Sequence, residues 1–106
     1  MVSMTRLIWS KMAKEEIKAI IRYYRKEASA QVARNIVTSI QREAQRLLLM
    51  PQIGTVEPLL ATKSKEYRYI ISSHYKIIYY IQNKTVVVAC IFDCRQDPDK
   101  LKHAIR

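Results

Sequence analysis

The sequence predicts an α+β fold: an N-terminal strand, an antiparallel two-helix hairpin packed on a mainly antiparallel four-stranded sheet, and a short C-terminal helix. Three observations carry this. Residues 66–98 hold three consecutive runs dense in β-branched and aromatic residues, broken by polar turns at Ser72 to His74 and Gln82 to Lys84. Residues 11–48 place apolar side chains at three- and four-residue spacing in two successive stretches. One glycine and three prolines in 106 residues leave little room for linkers or disordered tails.

The elements follow in order. Met4 to Trp9 has the length of a short strand, with Leu7 and Trp9 on one side and Arg6 and Ile8 on the other. Ser10 stands at an N-cap position, so a helix is expected from Lys11. Ala13, Ile17, Ile20, Ile21, Tyr24 and Ala28 form its apolar face, and Lys11, Lys14, Lys18, Arg22 and Arg25 line the opposite side, read first as a solvated ridge. Ser29 is a second cap, and the same period continues from Ala33 to Leu48 until Pro51 stops it. So short a connection makes the two helices an antiparallel hairpin.

The segment 51–65, with two prolines and the glycine, reads as an irregular surface connection that ends in Lys63 and Lys65. In the strands beyond it, Tyr67, Tyr69 and Ile71 oppose Arg68 and Ile70, and Tyr75, Ile77, Tyr79 and Ile81 oppose Lys76, Ile78 and Tyr80. From Thr85 to Phe92 both parities are apolar. One sheet face is thus expected to meet the hairpin, and the other to stay open as a mixed binding surface carrying Arg68, Lys76, Ile78 and Tyr80 with Arg95 at its end. Asp97 and Pro98 start a last helix, to Ile105, expected to be charged and weakly held.

The length fits a single domain over residues 1–106. Nineteen Lys and Arg against nine Asp and Glu give a formal charge of +10, which favours anionic partners. Cys90 and Cys94 lack zinc-ligand spacing and read as reduced thiols, so no metal or other cofactor is expected. No apolar run approaches the ~18 residues of a membrane span, and the N-terminus lacks a leader pattern, so the expectation is a cytoplasmic protein with no membrane partner.

WSKMAKEEI near the start, MPQIG after the second helix, YRYI and YKIIYYI in the strands and FDCRQDPDKL near the end, in this order, resemble the RelE/ParE superfamily of bacterial toxins over nearly the whole chain. The resemblance implies the growth-inhibiting toxin of a type II toxin-antitoxin module, of the kind linked to plasmid stabilisation. It also implies a cognate antitoxin that wraps the toxin with a helix and an extended segment. Operator DNA would be met only through that antitoxin.

The superfamily divides by target. RelE-like members cut messenger RNA on the ribosome, which needs a base, an acid and cations for the phosphate. ParE-like members poison DNA gyrase without a catalytic group. For the first mechanism the resemblance implies Arg68, at the YR motif, as a phosphate contact; Arg95, just past the fourth strand, could supply a second cation and Lys63 and Lys65 a third. His74, beside a cationic patch, could act as a base, although a His in a turn such as SSHY is more often solvated. His103 is the only other histidine and falls on the last helix. RQDP around Arg95 is closer to the ParE-like branch, so a non-enzymatic toxin is the favoured reading and the ribosome-dependent nuclease the alternative. A general nucleic-acid-binding module ranks third. Lys63, Lys65, Arg68, Lys76, Ile78, Tyr80 and Arg95 are the residues expected to meet target or antitoxin.

Overall fold

Each long helix begins where the sequence places a serine. The backbone is extended at Ser10 and Ser29, and their hydroxyls accept the amides of Ala13 at 3.0 Å and Val32 at 3.1 Å. In the computed structural model, which describes residues 4–105, α1 therefore runs Lys11–Glu27 and α2 runs Ala30–Arg46. Residues 1–3, where the leader pattern is sought, and Arg106 lie outside the described residues. β1 (Arg6–Trp9) precedes the helices. β2 (Thr55–Val56), β3 (Arg68–Ser72), β4 (Tyr75–Gln82), β5 (Thr85–Asp93) and α3 (Asp99–Ala104) follow, with one 3-10 turn at Pro58–Leu60.

The sheet has five strands, in the order β1-β5-β4-β3-β2, where four were expected. The additional strand is β2, two residues from the segment read as irregular, whose Thr55 and Val56 pair with Tyr69 and Arg68. So short a strand leaves no alternation to detect. β1 runs parallel to β5 and the other pairs are antiparallel. Asn83 and Lys84 both have positive φ, 51° and 59°, which makes the β4–β5 connection a primed two-residue turn whose twist matches that of its strands.

The α1–α2 hairpin covers one face of the sheet. Ala13 and Ile20 of α1 and Val37, Ile40 and Ala44 of α2 pack against Tyr75, Ile77, Val88 and Ile91. The other face is not open, as the sequence reading expected. Leu60 from the 3-10 turn and Leu101 and Ile105 from the C-terminal segment close over Ile78, Cys90 and Phe92. Ile78 is fully buried, and the last helix, expected to be loosely held, is anchored by a fully buried Leu101.

The face assignment of β3 is also corrected. Arg68 lies opposite Tyr79 and Tyr69 opposite Ile78, and residues directly opposite in an antiparallel pair share a face. Arg68 thus belongs to the hairpin side and cannot join Lys76. In β5, Ile78 pairs with Cys90 but Tyr79 with Val88, so Ala89 is an extra residue, a bulge. Parity changes there: Val86 and Val88 face the hairpin before it, Ile91 after it, while Cys90 and Phe92 turn to the second face. A strand apolar on both parities is what this arrangement requires.

The MPQIG segment is tied to the sheet by one side chain. The fully buried Tyr79 donates its hydroxyl to the Pro51 carbonyl at 2.7 Å and accepts the Gly54 amide at 3.0 Å. Arg68 donates to the Gly54 carbonyl at 2.8 Å. A Cβ on Gly54 would run into the Tyr79 hydroxyl, and would stand 2.7 Å from Tyr79 Cε1 and 2.8 Å from the Tyr69 carbonyl oxygen. Gly54→Ala is therefore expected to cost on the order of 1–3 kcal/mol, read as a lowered urea midpoint with an unchanged slope.

Candidate functional site

At the β3–β4 turn end of the sheet, the structure gathers side chains from α1, that turn and the end of β5. Tyr24, in the last turn of α1, meets His74 Nε2 with its hydroxyl at 3.0 Å, and the hydroxyls of Tyr24 and Tyr75 lie 3.5 Å apart. His74 Nδ1 lies 3.3 Å from the Ser73 hydroxyl, and its ring leans on Tyr75 at 4.5 Å. His74 is thus half-buried in a network, where the sequence alone suggested a solvated turn residue.

Arg95 joins the same network. Its Nε and Nη2 donate to the two oxygens of Asp93 at 3.0 and 2.8 Å, a fork-to-fork pair, and Nη2 also lies 3.5 Å from the Tyr24 hydroxyl. The guanidinium holds the Asp93 carboxyl below its ordinary range. Burial, with the Tyr24 contact second, pushes the Tyr75 hydroxyl well up. Because Asp93 balances Arg95, the cluster offers an outward guanidinium edge rather than a strong net charge. A cleft of about 220 Å³ beside it is lined by Glu16, Tyr23, Tyr75, Asp93, Arg95 and Gln96, among others.

Glu16 was not singled out by the sequence and has a distinct task. β1 accompanies β5 only as far as Val88, so the amide of Ile91 has no strand partner on that edge. Glu16 Oε1 accepts it at 2.8 Å, and Oε2 lies 3.5 Å from Cys90 Sγ. Ser10 completes the edge by donating its hydroxyl to the bulged Ala89 carbonyl at 2.8 Å. Burial raises the Glu16 pKa above 4.5, opposed by the Ile91 and Cys90 contacts. The signal available in the sequence was a carboxylate between Ala13 and Ile20 on the edge of the apolar stripe.

The other expected residues do not join this site. Lys76 pairs at 2.8 Å with Glu57, a carboxylate only 1% exposed, and its ammonium lies 4.3 Å from the Tyr69 ring centre. Removing one partner of such a pair strands the other charge, so Lys76 serves the fold first. Arg68 is held by Gly54 and by Glu66 at 3.0 Å. Lys65 lies over the Tyr80 ring at 4.8 Å and reaches Gln82, Tyr80 stacks edge-on with Tyr67, and Lys63 is half-buried. The expected constellation is therefore divided among the hairpin side (Arg68), the second face (Lys65, Lys76, Tyr80) and the sheet end (His74, Arg95).

Among the described residues, two clusters of open apolar surface bear on partner binding. One is a cleft of about 330 Å³ where Met12, Tyr80, Val87, Ala89 and Ile105 meet, the uncovered remainder of the second face. The other lies after α2, where Leu49, Met50 and Ile53 are 67%, 47% and 42% exposed beside a hollow of about 570 Å³. Among the described residues no three of His, Cys, Asp and Glu come together as a metal centre, and no helix is long and apolar enough to cross a membrane.

Comparison with known proteins places these features in context. Residues 7–98 match the family model described as the ParE toxin of the type II toxin-antitoxin system, parDE. A solved structure described as the chromosomal ParDE TA system from P. aeruginosa contains a chain similar to this one with a TM-score of 0.71. At 17% identity, over 85% of this chain and 96% of that one, the likeness is one of fold. No curated protein matches significantly.

The raised pKa of Glu16 has a signed consequence. Between its ordinary value of 4.5 and its higher folded value, the native state holds a proton that the unfolded chain releases, so stability falls as pH rises through that window. Glu16→Gln keeps an acceptor for Ile91 and removes this titration. Urea midpoints measured from pH 4 to 7.5 should show the variant gaining stability relative to the parent as pH rises.

Proposed function

Because the chain belongs to the family of ParE toxins of type II toxin-antitoxin systems, we propose that it arrests growth by binding DNA gyrase and that a cognate antitoxin neutralises it. The observation that carries this reading is the family match, which spans residues 7–98 and so includes the Tyr24, His74 and Arg95 cluster. The engagement of Arg95 by Asp93 supports a binding rather than a catalytic role, since half of its fork is already occupied. The convergence of His74, Tyr24 and Arg95 is the one feature that favours the RelE-like alternative, because it brings a possible base and a cation together.

The antitoxin is assigned to the cleft around Tyr80, the part of the second sheet face left open by α3. Met12, Val87 and Ile105 give that cleft an apolar centre, and Lys65 supplies a cation at its rim. The net charge of +10 suits an acidic partner, steering its approach while apolar anchors hold it.

Purified protein is expected to stop gyrase from supercoiling relaxed plasmid while leaving cell-free translation intact. Intact supercoiling together with cleaved messenger RNA would establish the nuclease instead. Tyr80→Ala should weaken antitoxin binding at least tenfold by calorimetry, with Leu49→Asp close to the parent. The reverse ranking would move the antitoxin to the Leu49–Ile53 surface.

A further inference from the structure

The solvent side of α1 carries a line of cations that neither the Tyr80 cleft nor the Arg95 cluster uses. Lys11, Lys14, Lys18, Arg22 and Arg25 are all exposed. At about 100° per residue they fall within a stripe roughly 80° wide, and at about 1.5 Å per residue the stripe is about 21 Å long. Among the described residues only Lys18 meets a carboxylate, Glu15 at 3.7 Å, and that pair is 65% and 59% exposed. A solvated pair of this kind binds its cation weakly.

The second helix extends the field instead of cancelling it. Arg25 faces Arg34 across a cleft of about 400 Å³ between the helices, with Thr38 and Gln41 in its wall. A neighbouring cleft of about 310 Å³ sets Lys14 and Lys18 beside Gln41, with Trp9 and Ile17 also in its wall. No carboxylate lines either cleft.

We propose that this ridge binds the phosphate backbone of duplex DNA without reading its sequence. A protein partner of comparable affinity would need a desolvated aromatic or aliphatic anchor. The exposed large apolar residues of α1, Met12 and Tyr23, lie at least roughly 80° around the helix from the stripe. A single strand would call for a series of aromatic platforms among the cations, whereas a lone aromatic, the half-buried Trp9, lines the cleft beside Lys14 and Lys18. A straight row of cations facing a rigid row of phosphates needs neither, and its affinity comes from released counterions. The inference rests on the α1–α2 hairpin and stands whether or not gyrase is the target.

The test is anisotropy of a fluorescein-labelled 30-base-pair duplex titrated with the full chain from 50 to 300 mM NaCl. The parent should bind with a slope of log K against log salt of about −4.5, roughly 0.9 for each of the five cations of the ridge. Lys14→Glu, Lys18→Glu and Arg22→Glu combined should weaken binding at 50 mM salt at least tenfold and flatten the slope by about 3. A control with the same charge change elsewhere, Arg42→Glu, Lys100→Glu and Lys102→Glu, should retain most of the affinity. If circular dichroism shows the ridge variant unfolded, single Lys14→Glu and Arg22→Glu variants should each flatten the slope by about 1. Equal loss in the control, an unchanged slope in the ridge variants, or tighter binding of a single strand or of poly-glutamate than of the duplex would overturn the proposal.

Discussion

The central pair of strands, β4 and β5, is buried on both faces, and most of the molecule follows from that constraint. A single covering layer would leave Ile78, Cys90 and Phe92 in water; with the hairpin on one side and Leu60, Leu101 and Ile105 on the other, each is buried. Burial on two faces makes β5 apolar from Val86 to Phe92, and the bulge at Ala89 lets its side chains serve both layers despite an uneven register. It also removes polar partners from the sheet interior. The few hydrogen-bonding groups that remain are specific: Tyr79 holds the Pro51 carbonyl and Gly54 amide, and Glu57 holds Lys76.

Three of the nine acidic residues work inward. Glu16 takes the Ile91 amide at the free edge of β5, Glu57 neutralises Lys76 beneath the second face, and Asp93 grips Arg95 at the sheet end. Internal use of these carboxylates leaves the surface more basic than composition alone would suggest. Part of the uncompensated charge lines the solvent side of α1, at Lys11, Lys14, Arg22 and Arg25, which the Tyr24, His74 and Arg95 cluster does not use. Two properties often treated as one, a basic exterior and a candidate functional cluster, are thus separated in space, and this is why a target-binding role and a phosphate-binding ridge can be argued independently.

The helices were legible because their signals are local. Ser10 and Ser29 cap where a side-chain oxygen meets the amide three residues on, and an apolar stripe needs only its own spacing. The family motifs were legible as well, but their roles were not. Gly54 of MPQIG is required because Tyr79 and the Tyr69 carbonyl leave no room for a Cβ, and Arg68 of YRYI serves as a clamp on that loop. Each role depends on a residue between 14 and 25 positions away. Of the candidate site, Arg95 and His74 could be named individually, but the residue that joins them, Tyr24, was hidden in the apolar stripe of α1.

What the sequence determined by itself was the class and order of the helices and of the longer strands, and the family, since period, capping and motif order are properties of neighbours along the chain. Which way each strand faces, and what lies above it, belonged to the tertiary structure. A strand alternates by two, so a relative shift of one residue between β3 and β4 moves Arg68 from beside Lys76 to the opposite side of the sheet, and nothing within either strand records that choice. The docking of α3 is of the same kind. Its six residues carry too little apolar surface to announce a partner, and Leu101 becomes a core residue only because Ile78 and Phe92 are already waiting beneath it.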